Sequence, residues 1–382
     1  MIKLRGNSML HYLDRYAGIP AVVVLGHIRR KRPAPSTIQT IGLLKLGAIG
    51  DTVLMSAVIA DLRHAFSNAL ITFFSDESNF EIAGMLEGVN RVVKIPTRNL
   101  AAGVRTLRSI AIDVIIDFGQ WSRLEALLAL FSHASFTVGF RTPRQYRHCG
   151  YDLDVEHSPD VHELENYRKL VRSLGVETRS RPFLRPPREA VAMSGPFAVL
   201  HLWPAGKLRK LKEWPADRWI RLIDDLVDND MDVVLTGAES DYASNDALIA
   251  LISSRSRGLV KNAAGVSLQQ TASILAQSSL VVSVNTGVMH MAAALGVPLV
   301  ALHGPTSSKR WGPVSEAATI IDSPLAGCGY LNLGWERPLR ALPCMECIPY
   351  EMVRDACLAI TGMRPRAKRA EPSNVALEGI GN

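Results

Sequence analysis

The sequence has little of what marks several protein classes. Its 382 residues include only five cysteines, an odd and sparse number that argues against a scaffold stapled by disulfides. Glycine (28) and proline (21) are near average usage, which excludes collagenous and low-complexity chains. The apolar run at residues 19–28 is about half of the ~20 residues that a membrane-spanning helix needs. What the chain has is 47% hydrophobic residues, enough to bury two cores of ordinary size.

Positive charge is concentrated at the two ends of the chain. Of the net charge of +7, residues 1–35 carry +6 and residues 361–382 carry +2, which leaves the body between them at −1. A nucleic-acid-binding domain carries its basic stripe on the fold itself, so this distribution argues against one. It favours a soluble enzyme with an electrostatic tether to an anionic surface.

The N-terminal segment, residues 1–36, is interpreted as a membrane-association segment. A signal peptide is a poor match, because Asp14 and Arg15 precede the apolar run and a basic run follows it at 29–32. We expect an interfacial anchor whose basic run contacts lipid headgroups and whose apolar face ends where Pro20 interrupts the helix. That predicted face consists of Leu10, Leu13, Tyr16 and Ala17. The alternative is a helix that packs on the protein's own surface, followed by a solvated charge run.

The body alternates short apolar runs with segments of helical periodicity, which predicts parallel sheets covered by helices on both faces. Strands are predicted at 41–46, 70–75, 91–96, 113–119, 135–140, 197–202, 232–237, 280–285 and 298–304. Helices are predicted at 52–65, 217–228, 242–254, 268–277 and 286–295. A proline-bearing stretch at 181–194 is the predicted linker between a domain at 37–180 and a second at 195–362, with a basic tail at 363–382. The fold class is therefore α/β, with two doubly wound lobes and the ligand between them.

The first candidate site lies in the segment KLGAIGDT at 45–52. Gly47 and Gly50 follow a strand and open a helix, where backbone approaches a ligand closely, and Thr52 borders the same loop. The spacing matches neither the dinucleotide fingerprint nor a Walker A loop. The start of a helix keeps the Asp51 carboxylate ionised, which suits a base that takes a proton from a bound hydroxyl. The alternative is that Asp51 only caps the helix.

The second candidate site is the junction at 283–290. A strand ends at Asn285, and the free amides of the helix that begins at Thr286 and Gly287 form an anion site that suits a diphosphate. His290 lies one turn further on the same helix face as Thr286. The alternative for His290 is a half-buried histidine that bonds a loop.

Two loops carry cations near predicted strand ends. One continues from Gly304-Pro305-Thr306 to Lys309 and Arg310 and is placed to close over a nucleotide or phosphate, unless Trp311 merely anchors it to the core. The other suits a diphosphate or an anionic acceptor, and its alternative is a solvated charge run. Its cations are Lys207, Arg209, Lys210 and Lys212.

The cysteines of the C-terminal region give a weak zinc signal. Cys344 and Cys347 form a CxxC pair, with Cys328 upstream and Cys357 downstream, but a second CxxC pair is missing. Reduced structural thiols are the favoured interpretation.

Over about residues 40–360 these segments together resemble glycosyltransferase family 9, the ADP-heptose:lipopolysaccharide heptosyltransferases. The family's leucine-rich strand, Gly-Asp and apolar helix are matched by LLKLGAIGDTVLMSAVIADLR. Its DTG-x-x-H-x-A-A-x-x-G-x-P stretch is matched by NTGVMHMAAALGVP, and its Gly-Pro-Thr to Trp-Gly-Pro loop by GPTSSKRWGP. Its Lys before Trp-Pro is matched loosely by Lys212.

The resemblance implies a GT-B fold, with the acceptor on the N-terminal lobe and a nucleotide-sugar on the C-terminal lobe. It implies inverting transfer without metal or cofactor, and Asp51 as the general base. Thr286, Gly287 and Lys212 would neutralise the departing diphosphate, with His290 beside it. Glu239 would hold the donor ribose, and Thr306 would lie in the donor loop.

The implied donor is ADP-heptose, and the implied acceptor is a glycolipid core at the cytoplasmic face of the inner membrane, with no nucleic acid as partner. Asn285 stands where the family has Asp, and Trp203 stands in the expected Gly-Ala/Ser turn. These departures leave two alternatives open. One is a family 9-like transferase with another nucleotide-sugar or acceptor, and the other is a non-catalytic relative. A nicotinamide oxidoreductase is disfavoured because neither strand–helix junction carries GxGxxG.

Overall fold

The computed structural model describes residues 12–187, 195–206, 208–332 and 341–362. The beginning of the predicted anchor, including Leu10, lies outside the described residues, as do Lys207, part of the linker and the basic tail.

Two six-stranded parallel sheets form the body. The first follows the order β3-β2-β1-β4-β5-β6 and the second the order β12-β11-β10-β7-β8-β9. The strands of the first sheet are β1 (Thr40–Leu44), β2 (Leu70–Ser75), β3 (Arg91–Lys94), β4 (Val114–Asp117), β5 (Phe136–Arg141) and β6 (Leu153–Glu156). Those of the second are β7 (Phe197–His201), β8 (Asp232–Gly237), β9 (Val260–Ala264), β10 (Leu280–Val284), β11 (Leu299–His303) and β12 (Ala318–Asp322). We call the parts built on them the N-terminal and C-terminal lobes.

Helices cover both sheets and connect successive parallel strands. They are α1 (Ile19–Ile28), α2 (Ile49–Ala65), α3 (Phe80–Ala83), α4 (Leu100–Arg108), α5 (Arg123–Phe131), α6 (Glu163–Arg172), α7 (Ala216–Asp228), α8 (Tyr242–Leu251), α9 (Leu268–Gln277), α10 (Gly287–Leu295), α11 (Ser308–Trp311) and α12 (Tyr350–Thr361). The predicted α/β class with two doubly wound lobes is confirmed.

The predicted strands and helices match the structure where burial is complete. The central strands β1, β4, β7 and β10 lie within two or three residues of their predicted bounds, because two-sided burial gives continuous apolar runs. The strands that sequence analysis missed are β6, β9 and β12, and all three lie at sheet edges. An edge strand is covered on fewer sides, so its partly exposed pattern resembles a loop.

The predicted helix break at Pro20 is wrong. Residues 14–18 take the wider turns of a π-helix, and α1 continues directly from them with Pro20 in its first turn. Proline is tolerated there because the first amides of a helix have no partner to lose. No helix among residues 12–187, 195–206, 208–332 and 341–362 is long and apolar enough to cross a membrane.

Two arginines of the basic run that follows α1, which was expected to contact lipid headgroups, pair with the protein itself. The guanidinium of Arg29 lies 2.6 Å from an Asp152 carboxylate oxygen and that of Arg32 lies 2.9 Å from it, and the Asp152 side chain is only 1% exposed. Lys31 is paired more loosely with Asp154, at 3.4 Å. The alternative of packing on the protein's own surface therefore holds for this inner face.

One continuous hydrophobic core extends through both lobes. Helix α2 of the N-terminal lobe packs along α10 of the C-terminal lobe, with Val58 and Met289 fully buried in the same cluster. The segment after α6 joins this contact, since the Leu184 amide donates to the Ala294 carbonyl at 3.0 Å. This packing determines how the strand ends of the two sheets face each other.

Candidate active site

The loop that follows β1 turns sharply through two residues with positive φ angles. Gly47 has φ +78° and Ala48 has φ +63°, and the latter is uncommon for a residue with a side chain. The two residues turn the chain sharply so that α2 begins at Ile49. Thr52 steadies the turn, since its hydroxyl donates to the Ala48 carbonyl at 2.9 Å and accepts from Asn79 at 2.9 Å.

Asp51 is the third residue of α2 and lies in a buried ion pair. Its carboxylate is 2.8 Å from Nζ of Lys45, and the two side chains are 10% and 4% exposed. Ala48 rather than Asp51 occupies the cap position, so the capping alternative is wrong. An acid in the first turn of a helix is stabilised in its ionised form by the helix dipole.

The groups around this ion pair come from two other parts of the N-terminal lobe, the segment after β4 and helix α6. Lys45 Nζ also donates to Oε1 of Gln120 at 2.7 Å and to the Phe118 carbonyl at 3.4 Å. The ammonium lies 5.8 Å from the ring centroid of Tyr167. Burial, and after it the charge of Asp51, raises the pKa of Tyr167 well above its ordinary value, so its hydroxyl stays neutral beside the pair.

The N-termini of two helices from the two lobes meet beside Asp51. A Cβ on Gly287, the first residue of α10, would lie 2.7 Å from Cβ of Ile49 and 3.2 Å from the Gly50 amide nitrogen. A Cβ on Gly50 would lie 2.6 Å from Cδ2 of His290. Only glycine at both positions permits this approach. Two positive helix ends therefore converge where an anion is best accommodated.

His290 lies in this interlobe contact and is 5% exposed. Burial lowers the pKa of His290 to about 3, so the ring is neutral at physiological pH. Thr286 occupies the cap position of α10, and its hydroxyl lies 3.4 Å from that of Ser283. The structure thus brings together Gly50, Asp51, Thr286, Gly287 and His290.

Asn285 bonds to a neutral histidine. Its amide nitrogen lies 3.2 Å from Nδ1 of His303, and burial lowers the pKa of His303 to about 4. The Asn285 amide donates to Nδ1 in the neutral tautomer that carries its proton on Nε2. An aspartate here would need a proton on Nδ1 instead.

The loop after β11 contributes a buried threonine and a buried arginine. Thr306 is 7% exposed, and its hydroxyl has no hydrogen-bond partner within the described part of the chain. The guanidinium of Arg310 lies 2.8 Å from Glu163 of the N-terminal lobe, with side chains 5% and 0% exposed. The charge of Arg310 is therefore used between the lobes, and closure of this loop over a nucleotide or phosphate stays a prediction.

Three other residues singled out in the sequence follow β7 and β8 in the C-terminal lobe. Lys212 ends a short 3₁₀ turn and donates to the Ala205 carbonyl at 3.3 Å. Glu239 begins the turn after β8 and is exposed. Trp203 is partly buried against the core of the C-terminal lobe, and its indole N–H donates to Asn245 at 2.7 Å.

The expectation of reduced thiols is wrong for two of the cysteines. Cys328 and Cys344 form a disulfide, while Cys149, Cys347 and Cys357 are free. The pairing follows from the fold, since the Gly329 amide donates to the Gly304 carbonyl and Met345 packs on Gly304. The zinc alternative would need the two thiolates that the disulfide consumes.

Sequence analysis quoted Lys45 without assigning it a role, and it missed Gln120 and Tyr167. A lysine six residues before Asp51 is a detectable signal, because the two flank a tight turn. Gln120 and Tyr167 carry no such local signal, since Gln120 follows β4 and Tyr167 lies within α6, both far along the chain from Lys45.

Comparison with known proteins gives one family. The family model described as glycosyltransferase family 9 (heptosyltransferase) matches residues 101–329, more than half of the chain. The chain is 30% identical over 301 residues to lipopolysaccharide heptosyltransferase 2 of Escherichia coli K12, which covers 72% of this chain and 85% of the relative. It is 30% identical over 327 residues to lipopolysaccharide heptosyltransferase 1 of Pseudomonas aeruginosa, which covers 75% of this chain and 85% of that one.

Solved structures share the fold. The E. coli ADP-heptose heptosyltransferase II superposes with a TM-score of 0.71 at 20% identity, covering 84% of this chain and 98% of that one. The E. coli heptosyltransferase WaaC with ADP-2-deoxy-2-fluoro heptose superposes with a TM-score of 0.68 at 20% identity, covering 84% and 99%. These structures are covered almost completely, whereas about a sixth of this chain has no counterpart in them.

Proposed function

Because the chain belongs to glycosyltransferase family 9, we propose that it transfers a heptose from ADP-heptose to a lipopolysaccharide core acceptor. The relatives are named as lipopolysaccharide heptosyltransferases, and a structural neighbour holds a fluorinated ADP-heptose. In this proposal residues 37–180 bind the acceptor and residues 195–362 bind the nucleotide-sugar.

The observation that carries the proposal is the meeting of Asp51 with two helix N-termini. A base for the acceptor hydroxyl and a site for the leaving diphosphate are needed a few ångströms apart, on opposite sides of the reacting sugar carbon. At the contact between Gly50 and Gly287, the carboxylate of Asp51 from one lobe lies beside the positive N-terminal end of α10 from the other.

The proposed reaction is a single displacement with inversion. The acceptor oxygen attacks C1 of the heptose, its proton passes to Asp51, and the bond from C1 to the phosphate oxygen breaks to release ADP. The amides of Thr286 and Gly287, with Lys212, neutralise the charge that develops on the diphosphate, as fixed donors do for other leaving groups. Glu239, Asn285, His290 and Thr306 complete the donor side.

Lys45 has a defined part in this proposal. Its ammonium, 2.8 Å from Asp51, keeps the carboxylate ionised and holds its orientation until the acceptor arrives. Gln120 holds the ammonium from the opposite side at 2.7 Å.

The decisive test is Asp51→Asn, which keeps the shape of the side chain but removes the base. We expect transfer from ADP-heptose to a deep-core lipid acceptor to fall by roughly 10²–10⁴-fold, the usual contribution of a general base. ADP binding, measured by calorimetry, should stay within about twofold. Asp217→Asn, an exposed first-turn acid of α7, is the matched control.

Transfer by the Asp51→Asn variant at the wild-type rate would remove Asp51 from the mechanism.

Turnover in the presence of EDTA should be undiminished, because the helix N-termini and Lys212 supply the positive charge that the diphosphate needs.

A second candidate is a family 9-like transferase that uses another nucleotide-sugar, favoured by Asn285. The Asn285–His303 pair is neutral, whereas the family's aspartate would add a charge to the donor side. A panel of ADP- and GDP-linked sugars in a thermal-shift assay separates the two candidates. A larger shift with another sugar than with ADP-heptose would favour the second.

We also propose that the enzyme works peripherally at the cytoplasmic face of the inner membrane, in contact through its N-terminal segment. Support comes from a row of exposed apolar side chains on the outer side of that segment, where Tyr16 is 67% and Ile28 is 76% exposed. The row consists of Tyr12, Leu13, Tyr16, Val24 and Ile28. Exposed Arg15 and Arg30 flank it and suit anionic headgroups.

Co-sedimentation with phosphatidylglycerol vesicles tests this location. The double variant Tyr16→Ser/Ile28→Ser should lose vesicle binding, while Leu251→Ser, an apolar residue 68% exposed on the C-terminal lobe, should keep it. Binding unchanged by the double variant would exclude this face.

A further inference from the structure

The N-terminal segment makes buried contacts with the side of the molecule that carries Asp51 and Lys45. Asp14 accepts from the amides of Arg123 at 2.8 Å and Leu124 at 3.3 Å, and its other oxygen lies 2.8 Å from the Arg123 guanidinium. The cap residue of α5, Ser122, makes no side-chain cap of its own. Asp14 therefore caps α5 from a distant part of the chain, which is the favourable position for a carboxylate.

Two glycines let the segment approach closely. A Cβ on Gly18 would lie 3.0 Å from Cβ of Arg123, and a Cβ on Gly26 would collide with the Cys149 carbonyl oxygen. Glycine inside a helix costs about 1 kcal/mol relative to alanine, so its use here reflects the close contact. Arg29 adds a bond to the Gly150 carbonyl at 3.1 Å.

Apart from the Leu124 amide, these contacts fall on two segments, 118–123 and 141–150, of which the first carries Gln120. Arg123 Nε donates to the Gln145 carbonyl at 3.3 Å, and Arg147 Nε donates to the Ser122 carbonyl at 2.8 Å, so the segments hold each other. Gln120 lies in the first of them and binds Lys45. The residue that Asp14 binds, Arg123, is therefore three positions along the same segment from Gln120, which binds Lys45.

We infer that the N-terminal helix, the continuous helical stretch at 12–28, is a brace for the acceptor side of the site, with Asp14 as a positioning residue for Gln120, Lys45 and Asp51. The activity part of this inference rests on the proposed function. The helix has two faces with separate tasks, since the inner one carries Asp14, Gly18 and Gly26 and the outer one carries the exposed apolar row.

The first measurement is hydrogen exchange of the full chain, without substrate. Asp14→Ala should speed exchange of amides in 118–123 and 141–150 by roughly 2- to 30-fold, the range expected for a lost cap. Asp14→Asn should do so much less, because an asparagine oxygen still caps. Asp217→Asn should leave both segments unchanged.

The second measurement separates positioning from general destabilisation. With Asp14→Ala we expect kcat/KM for the acceptor to fall about tenfold, ADP affinity to stay within about twofold, and Asp14→Asn to recover most of the loss. Gly26→Val, which unseats the helix without a change of charge, should act like Asp14→Ala. Gly258→Ala, at a glycine with open space around it, is its control.

Unchanged exchange in the two segments, or faster exchange spread equally over both lobes, would overturn the brace. Equal losses of acceptor turnover and ADP affinity would also overturn it. Absence of heptose transfer by the wild-type protein would refute the proposed function alone, because the exchange experiment needs no substrate.

Discussion

The ion pair between Glu163 and Arg310 is a buried charge contact between the two lobes. Glu163 begins α6 in the N-terminal lobe and Arg310 lies in α11 of the C-terminal lobe, 2.8 Å apart at nearly zero exposure. His157 lies 3.2 Å from the same carboxylate, and Arg310 also donates to the Ser158 carbonyl at 3.0 Å. We predict that Glu163→Gln destabilises the protein strongly.

The magnitude follows from burial. Removal of one partner from a buried pair leaves the other charge without compensation and costs about 3–5 kcal/mol. Arg310→Met should cost a similar amount, since Glu163 is then the stranded charge. The double variant Glu163→Gln/Arg310→Met should be more stable than either single variant, because neither charge is left buried.

Urea unfolding at pH 7, followed by circular dichroism and tryptophan fluorescence, measures the difference in unfolding free energy. The matched control is Glu316→Gln, because Glu316 pairs with Arg181 at 2.5 Å with side chains 82% and 64% exposed. An exposed pair contributes about 0–1 kcal/mol. A loss below about 1 kcal/mol for Glu163→Gln, equal to the control, would refute the reasoning.

Three further predictions concern the site and its surroundings. Gly50→Ala places a Cβ 2.6 Å from His290 and should lower the free energy of unfolding by about 1–3 kcal/mol, with loss of turnover. Gly258→Ala, at a glycine with open space around it, should be neutral. Equal melting temperatures of the two variants would contradict this prediction. Burial raises the pKa of Glu125 from 4.5 to about 8, so unfolding releases a proton at any pH between those values. The free energy of unfolding should therefore decline by up to about 1.4 kcal/mol per pH unit as the pH rises through this range. Glu125→Gln should flatten this slope in denaturant titrations. Burial lowers the pKa of His290 from 6.5 to about 3, so unfolding takes up a proton between those values and the free energy of unfolding falls as the pH drops through this range. His290→Gln should reduce this loss. An unchanged midpoint pH of acid unfolding in that variant would speak against a buried neutral ring.

The positions of the main elements were predictable because burial leaves a local pattern. The strands β8 and β2 match their predicted bounds at both ends, since apolar runs bounded by turn residues signal two-sided burial. The three missed strands are edges, where neighbours rather than composition create the strand. Lys45 and Asp51 are six residues apart, so their pairing was within reach of sequence reasoning once the turn was recognised.

Long-range charge partners were not predictable in the same way. The cations at 29–32 were assigned to lipid and the loop that carries Arg310 to phosphate, and neither assignment named the partners found, since Arg29 and Arg32 pair with Asp152, and Arg310 pairs with Glu163. Asp14 and Arg123 are 109 positions apart, and no spacing rule connects them. The sequence shows the charge of each residue, whereas the partner of that charge depends on which loops the two sheets bring together.

The amino-acid sequence by itself determined two α/β lobes in series, with an acid at the first strand–helix junction and glycine-opened helices at both. These features depend on neighbours within one or two turns, and local pattern records them. The tertiary structure alone decided that the two helix ends meet at Gly50 and Gly287, and that the N-terminal helix packs on the N-terminal lobe instead of standing free. Such contacts join residues a hundred or more positions apart, and only the packing of the whole chain selects them.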